Sequence, residues 1–173
     1  MNIASGLIIS SLFRKVRDSV IFDFKDKFWG KVKRENIADS PTAEFRATKL
    51  VKVWDKTLQC GVLLEIEPLI ADPRPTEFQK AFFLHITENL DALFSQSIRT
   101  LHIHFGEVKE YVTKYRRQMY PRLFIIPLSA ETEWCIYFQT LEGNTFILDF
   151  KGDTFLRAKN TPTDGGKVTS AIV

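Results

Sequence analysis

The densest group of potential metal ligands in the chain is "LHIHFGEVKE", where His102, His104, Glu107 and Glu110 fall within nine residues. Imidazole and carboxylate are the ligand types of a catalytic zinc site, which needs three protein groups converging on one ion. The flanking periodicity predicts a helix here, and side chains two apart on a helix diverge by about 200°. His102 and His104 therefore cannot share an ion, and His104 with Glu107 gives only two ligands. The expected arrangement is a partly buried His102 and an exposed His104 beside Glu107, with no metal site and no cofactor.

Nucleophilic and acid–base chemistry fare no better. Cys60 and Cys135 stand alone, without a CxxC partner or a histidine at ligand spacing. Cys60 sits in the apolar run "LQCGVLLEIEP", where a thiolate is disfavoured. Both read as reduced core thiols, which points to a cytoplasmic compartment. The chain has no GxSxG elbow, and "GNT" and "KGDT" lack the glycine spacing of a phosphate-binding loop. Asp149 with Asp153, or Glu65 with Glu67, offer carboxylate pairs, but solvated strand-end carboxylates are the commoner reading. A small enzyme with an unrecognised pocket stays an alternative, since a concave pocket has no sequence signature.

Binding surfaces are the remaining possibility, and "SVIFDFKDKFWGKVKR" at Ser19 to Arg34 is the place to look. If Lys25, Asp26 and Lys27 form the loop of a hairpin, Phe24 lies opposite Phe28, Phe22 opposite Gly30 and Val20 opposite Val32. The other face then carries Asp23 opposite Trp29, Ile21 opposite Lys31 and Ser19 opposite Lys33. A one-residue slip would mix the two faces, so the first register is favoured. Asp23, Trp29, Lys31 and Lys33 become the candidate partner-binding residues. A cation-flanked aromatic on a solvent face suits a protein interface or a stacked base. In the competing reading another strand or loop covers Trp29. A second basic cluster, Lys114, Arg116 and Arg117, complements the negative end of a helix dipole. The net charge of +3 is too small to imply a nucleic-acid partner unless the cations cluster on one surface.

The elements that must position these residues follow from composition and periodicity. A chain of 173 residues with 45% hydrophobic and 26% charged residues can build one core without metal or disulfide staples. The run "IASGLIISSLF" lacks a preceding Lys or Arg and is too short to span a bilayer. Residues 1–18 therefore read as a docking segment, with an export signal as the alternative. A single domain covers 19–159. The stretch 160–173 shows no usable period and reads as a mobile tail.

Within the domain, "FRATKLVKVWD" and "LQCGVLLEIEP" form a second strand pair, the latter apolar enough to be central. Thr76 and Gln79 make a capping box. Phe78, Phe82, Ile86, Leu90 and Leu93 then share one helical face. A second helix from about Ser95 carries Ile98, Leu101, Phe105, Val108, Val112 and Tyr115. The two should form an antiparallel or steeply crossed pair on one face of the sheet. "EWCIYFQTL" and "TFILDFK" flank Glu142-Gly143-Asn144, a hairpin signal. Even pairing sums place Trp134, Ile136, Phe138, Phe146, Leu148 and Phe150 together, and "TFLRA" reads as an edge strand. The fold class is α+β, one mainly antiparallel sheet built from hairpins with a central helix pair packed on one face.

"FWGKV", "AFFLHITENLDALF", "VKEYVTKYRRQMY" and "EWCIYFQTLEGNTFILDF" occur in this order, with Trp29-Gly30 and Asn89-Leu90 as marks. The pattern resembles small bacterial α+β proteins of uncharacterised families associated with polymorphic-toxin immunity, over about two-thirds of the chain. The resemblance implies a cytoplasmic protein that neutralises a toxin domain by surface complementarity, and it names no functional residue. Nuclease inhibitors tend to be acidic mimics of the phosphate backbone, so this slightly basic chain suggests a non-nuclease toxin. The expected function is a non-catalytic protein-binding domain without a membrane span. A nucleic-acid-binding module using Trp29, Lys31, Lys33 and Arg116 is the alternative. The dispersed histidines and cysteines carry a direct test: elemental analysis of dialysed protein should find no stoichiometric zinc, and about one zinc per chain would overturn the reading of the histidine cluster.

Overall fold

A computed structural model describes residues 23–36, 43–54, 56–66, 73–104, 119–140, 145–161 and 169–172. Four strands come first: β1 (Asp23–Asp26), β2 (Gly30–Asn36), β3 (Ala43–Val53) and β4 (Lys56–Glu65). Helices α1 (Glu77–Glu88) and α2 (Leu90–His104) follow. The chain then forms β5 (Tyr120–Ile126), β6 (Glu133–Gln139), β7 (Thr145–Lys151), β8 (Thr154–Thr161) and β9 (Thr169–Ile172). All the strands join one sheet in chain order. Neighbours are antiparallel except β4 and β5, which run parallel. Parallel neighbours require a long crossover, and the helices lie within it. The α+β class and the mainly antiparallel sheet agree with the sequence pattern.

Alternation sorts each strand into a core face and an outer face. Trp134 lies opposite Phe150, Ile136 opposite Leu148 and Phe138 opposite Phe146, as the pairing sums imply. All six are buried together with Phe45, Val62, Leu64 and Phe124. From the helices, Phe82, Phe83, Ile86, Leu90, Leu93 and Phe94 enter the same cluster. Phe82 meets Trp134 edge-on at 5.3 Å, Phe83 meets Phe124 at 5.6 Å and Phe94 lies 5.0 Å from Phe138. The buried stripe of the helices thus rests on the face that carries these rings. Among the described residues no helix is long and apolar enough to cross a membrane.

Three expectations change. The stripe from Phe78 to Leu93 is interrupted at Asn89, whose side chain and backbone N–H both donate to the His85 carbonyl, at 2.9 and 3.1 Å. The backbone bond is the last of α1, and Asn89 then leaves the helical range at φ −102 and ψ 13 as its C-cap, so α2 opens at Leu90 rather than near Ser95. In the first hairpin the turn falls at Lys27, Phe28 and Trp29, with Phe24 opposite Val32 and Asp26 opposite Gly30. The Asp26 carboxylate accepts from the N–H groups of Phe28 and Trp29, each at 2.7 Å, and this side-chain clamp prevails over the Phe24–Phe28 pairing. Gly30 then takes φ 77, a left-handed conformation that suits glycine. Finally, Thr169–Ile172 of the stretch read as a tail forms β9, so "TFLRA" is not an edge. Four residues are too few to show a period. Residues 1–18, Glu107, Glu110 and the cluster Lys114, Arg116 and Arg117 lie outside the described residues.

The expected capping box is present: Thr76 Oγ1 accepts from Gln79 N at 3.1 Å and Gln79 Oε1 accepts from Thr76 N at 3.0 Å. The same Gln79 amide donates from Nε2 to the carbonyls of Glu65 at 2.9 Å and Ile126 at 3.4 Å. Those carbonyls end the two parallel strands, and Gln79 is fully buried. Gln79→Met keeps the volume but strands these groups without partners. Since an unsatisfied buried polar group costs about 1–3 kcal/mol, urea melts should show a loss of about 2–4 kcal/mol.

Candidate functional site

On β3, Phe45, Ala47, Val51 and Val53 turn into the core while Arg46, Thr48, Leu50 and Lys52 turn outward. Lys49 breaks the alternation on the inner side, where its Nζ donates to the Phe28 carbonyl at 2.5 Å and lies 4.0 Å from the Phe28 ring centroid. Burial holds its pKa below the ordinary lysine value. On β2, Val32 is buried while Lys31 and Lys33 are exposed. The registers then set like against like: Lys25 is opposite Lys31, and Lys33 is opposite Arg46. Asp23 also lies opposite Lys33, and Glu35 opposite Glu44, so the cations gather at the turnward end of this face and the acids at its far end. A groove of about 450 Å³ runs here, lined by Gly30, Lys31, Lys33, Arg46, Thr48 and Gln59 among others.

Of the four residues singled out from the sequence, Trp29, Lys31 and Lys33 line this groove, Trp29 only at its buried floor. Asp23 begins β1 opposite Lys33, where the expected register put Trp29. Trp29 is not an exposed anchor: only 2% of it is accessible. The Asp26 turn tucks its ring inward, 4.8 Å from Phe28 and 5.4 Å from Phe83. The register expected from the sequence had placed that ring on the solvent side. Arg46, Thr48 and Leu50 were missed, although the alternation of "FRATKLVKV" carried the signal. Leu50 is 73% exposed.

Further along the outer face, the buried carboxylate of Asp149 accepts from Arg157 Nε at 2.6 Å and pairs with Lys159 Nζ at 2.8 Å. Arg157 also reaches Glu133 at 2.6 Å. Asp149 is therefore engaged in a closed ion network. Asp153 instead meets His85 Nε2 at 2.9 Å, so the two aspartates serve different contacts. Cys135 lies opposite Asp149. Burial, with the Asp149 charge adding, pushes its thiol up to about 12. Burial likewise pushes Cys60 up to about 11, and its Sγ lies 3.2 Å from the Pro121 carbonyl. Neither thiol supplies a thiolate at neutral pH. The strand registers put Cys60 on the core face and Cys135 on the outer face, which leaves both free. Among the described residues no three His, Cys, Asp or Glu side chains gather as metal ligands.

Comparison of the chain with protein-family models, curated proteins and solved structures finds no match.

Glu65 supplies a pH test. Burial raises its pKa above the ordinary 4.5, partly offset by the Leu128 N–H that its Oε2 accepts at 3.2 Å. The folded state therefore holds this proton more tightly than the unfolded state, and stability falls as pH rises from the ordinary value through the raised one. Glu65→Gln retains an acceptor and removes the titration. Its urea midpoint should exceed that of the parent at about pH 7.5 and match it near about pH 4.

Proposed function

We propose that the chain is a non-catalytic protein-binding domain whose outer β1–β3 face meets an acidic protein surface. The observation that carries this reading is the stacking of cation on cation across the ladder, Lys25 with Lys31 and Lys33 with Arg46. Carboxylates of a partner are drawn to this group of cations, so complementarity there supplies both orientation and encounter rate. Exposed Leu50 adds an apolar contact within the same groove. Raised thiols and the engaged Asp149 network support binding over catalysis.

The resemblance to immunity-associated proteins gives this reading its specific form: a cytoplasmic protein that neutralises a toxin domain by covering it. The same cations suit phosphates, but the burial of Trp29 removes the stacking platform that a single-stranded nucleic acid would use.

Lys31→Glu combined with Lys33→Glu should abolish capture of an acidic protein from the native host while leaving the melting temperature nearly unchanged. Trp29→Ala, by contrast, should cost about 3–5 kcal/mol, because it empties a buried site. Fluorescence anisotropy with a labelled oligonucleotide separates the alternatives: binding that weakens steeply with salt would move the assignment to nucleic acid. Undiminished protein capture by the folded double variant would place the interface elsewhere.

A further inference from the structure

We propose that the last turnward residues of β3, Leu50 to Val53, form an open edge that takes an extended peptide as an added strand. The peptide's inward side chains are apolar and its outward ones acidic. This inference rests on the protein-binding reading and names the kind of segment bound, on an edge that adjoins the cationic face.

The registers expose the edge. β2 pairs with β3 from Asn36 opposite Ala43 to Lys33 opposite Arg46. β3 continues to Val53, which lies opposite Lys56 of β4. Near its end β3 therefore has β4 on one side and, among the described strands, none paired on the other. A two-residue connection makes Val53 and Lys56 a hydrogen-bonded pair, and bonded pairs alternate along an antiparallel ladder. Val51 and Val53 thus bond to β4, while the N–H and C=O groups of Leu50 and Lys52 point to the open side. Such an edge is a template for strand addition.

The surroundings fit an occupant of alternating character. A groove of about 550 Å³ follows this edge, between β3 and the junction of α1 and α2, with Phe28, Phe83, Leu84, Thr87 and Leu90 in its lining. Among the described residues the exposed large hydrophobics are Leu50 at 73% and Leu84 at 41%, and both line this groove. At the far end Trp54, held at φ 54, donates from Nε1 to the Asp91 carboxylate at 2.6 Å and fastens the hairpin to α2. The mouth is therefore preformed. An added strand would alternate between this groove, whose apolar lining is edged by Lys49, Glu88 and Asp91, and the outer face, where Lys52 is exposed. A second copy of the chain would bring the same cations against one another, which disfavours self-pairing and favours an acidic segment.

The probe is a blocked peptide of alternating valine and glutamate, titrated into the full chain, with alternating valine and lysine as its counterpart. Hydrogen exchange should show the Leu50 and Lys52 amides fast in the free protein and slowed by roughly tenfold or more with the acidic peptide. Lys52→Pro removes an edge N–H without taking a bond from the β4 ladder. Leu84→Glu places a charge in the groove. Each should weaken the peptide by roughly tenfold or more at unchanged melting temperature, and Leu84→Glu alone decides if the proline variant misfolds. The proposal is overturned if either amide is already protected in the free chain, since a second copy or the chain's own segment then holds the edge. Equal binding of the lysine peptide, no saturable binding to about 1 mM, or affinity unaffected by both variants would also overturn it. If peptide binding fails while capture sensitive to Lys31→Glu and Lys33→Glu persists, the edge proposal falls alone. Loss of both removes the protein-binding reading as well.

Discussion

Two carbonyl oxygens at the ends of neighbouring parallel strands, those of Glu65 and Ile126, receive the same amide group, Nε2 of Gln79. The other end of that amide closes the capping box with Thr76. One buried side chain therefore joins the start of α1 to the point where the sheet changes from hairpin meander to parallel pairing. Parallel strands lack a tight turn to hold them in register, and their crossover must be anchored by other means. With α1 tied there, Phe82, Phe83 and Phe94 reach the rings of Trp134, Phe124 and Phe138. Gly61 serves the same junction. A Cβ at that position would stand 3.0 Å from the Leu123 side chain across the β4–β5 pair. This is tighter than ordinary packing permits and explains the missing side chain.

The first hairpin shows how a single carboxylate redistributes surface. By accepting two backbone N–H groups, Asp26 sets the turn at Lys27 to Trp29 and turns a large ring into the core. Trp29 and Phe83 then pack the hairpin against α1, while Lys49 caps the Phe28 carbonyl from below. The cost of that register is a ladder in which Lys25 faces Lys31, while the neighbouring β2–β3 register sets Lys33 against Arg46. Ring burial outweighs the charge repulsion of exposed groups, which solvent screens. A cationic surface is the consequence, and it is the feature on which a partner of opposite charge can act.

The two ends of the outer face differ in kind. At β7 and β8 the charges neutralise one another around Asp149, in a network closed by Arg157, Lys159 and Glu133. Beside it Cys135 is protonated at neutral pH, held there by burial and a neighbouring negative charge. At β1 to β3 the registers place cation beside cation, next to a groove at the end of β3 and a length of β3 with no partner on that side among the described strands. Mutually paired charge holds the β7–β8 end together, whereas the grouped cations at β1 to β3 give that end a positive field.

The alternation of "EWCIYFQ" and "TFILDFK" determined which residues would be buried and how they would pair, because a two-stranded register with an apolar face has one good solution. Thr76 and Gln79 announced the helix start for an equally local reason, since both hydrogen bonds of the box lie within four residues. The outward position of Lys31 and Lys33 was legible too, and so was that of Arg46, had the same alternation been followed into β3. The place of Trp29 was not: moving the turn by two residues keeps the strand faces but sends the ring to the helix side, and periodicity does not rank those turns. Only the tertiary structure brought Leu84 of α1 beside the end of β3, and only it carried β3 beyond the strands described on that side, because the length of β2 relative to β3 depends on where the Asp26 turn falls. Local pattern decides faces; contacts between distant elements decide which faces and edges stay uncovered.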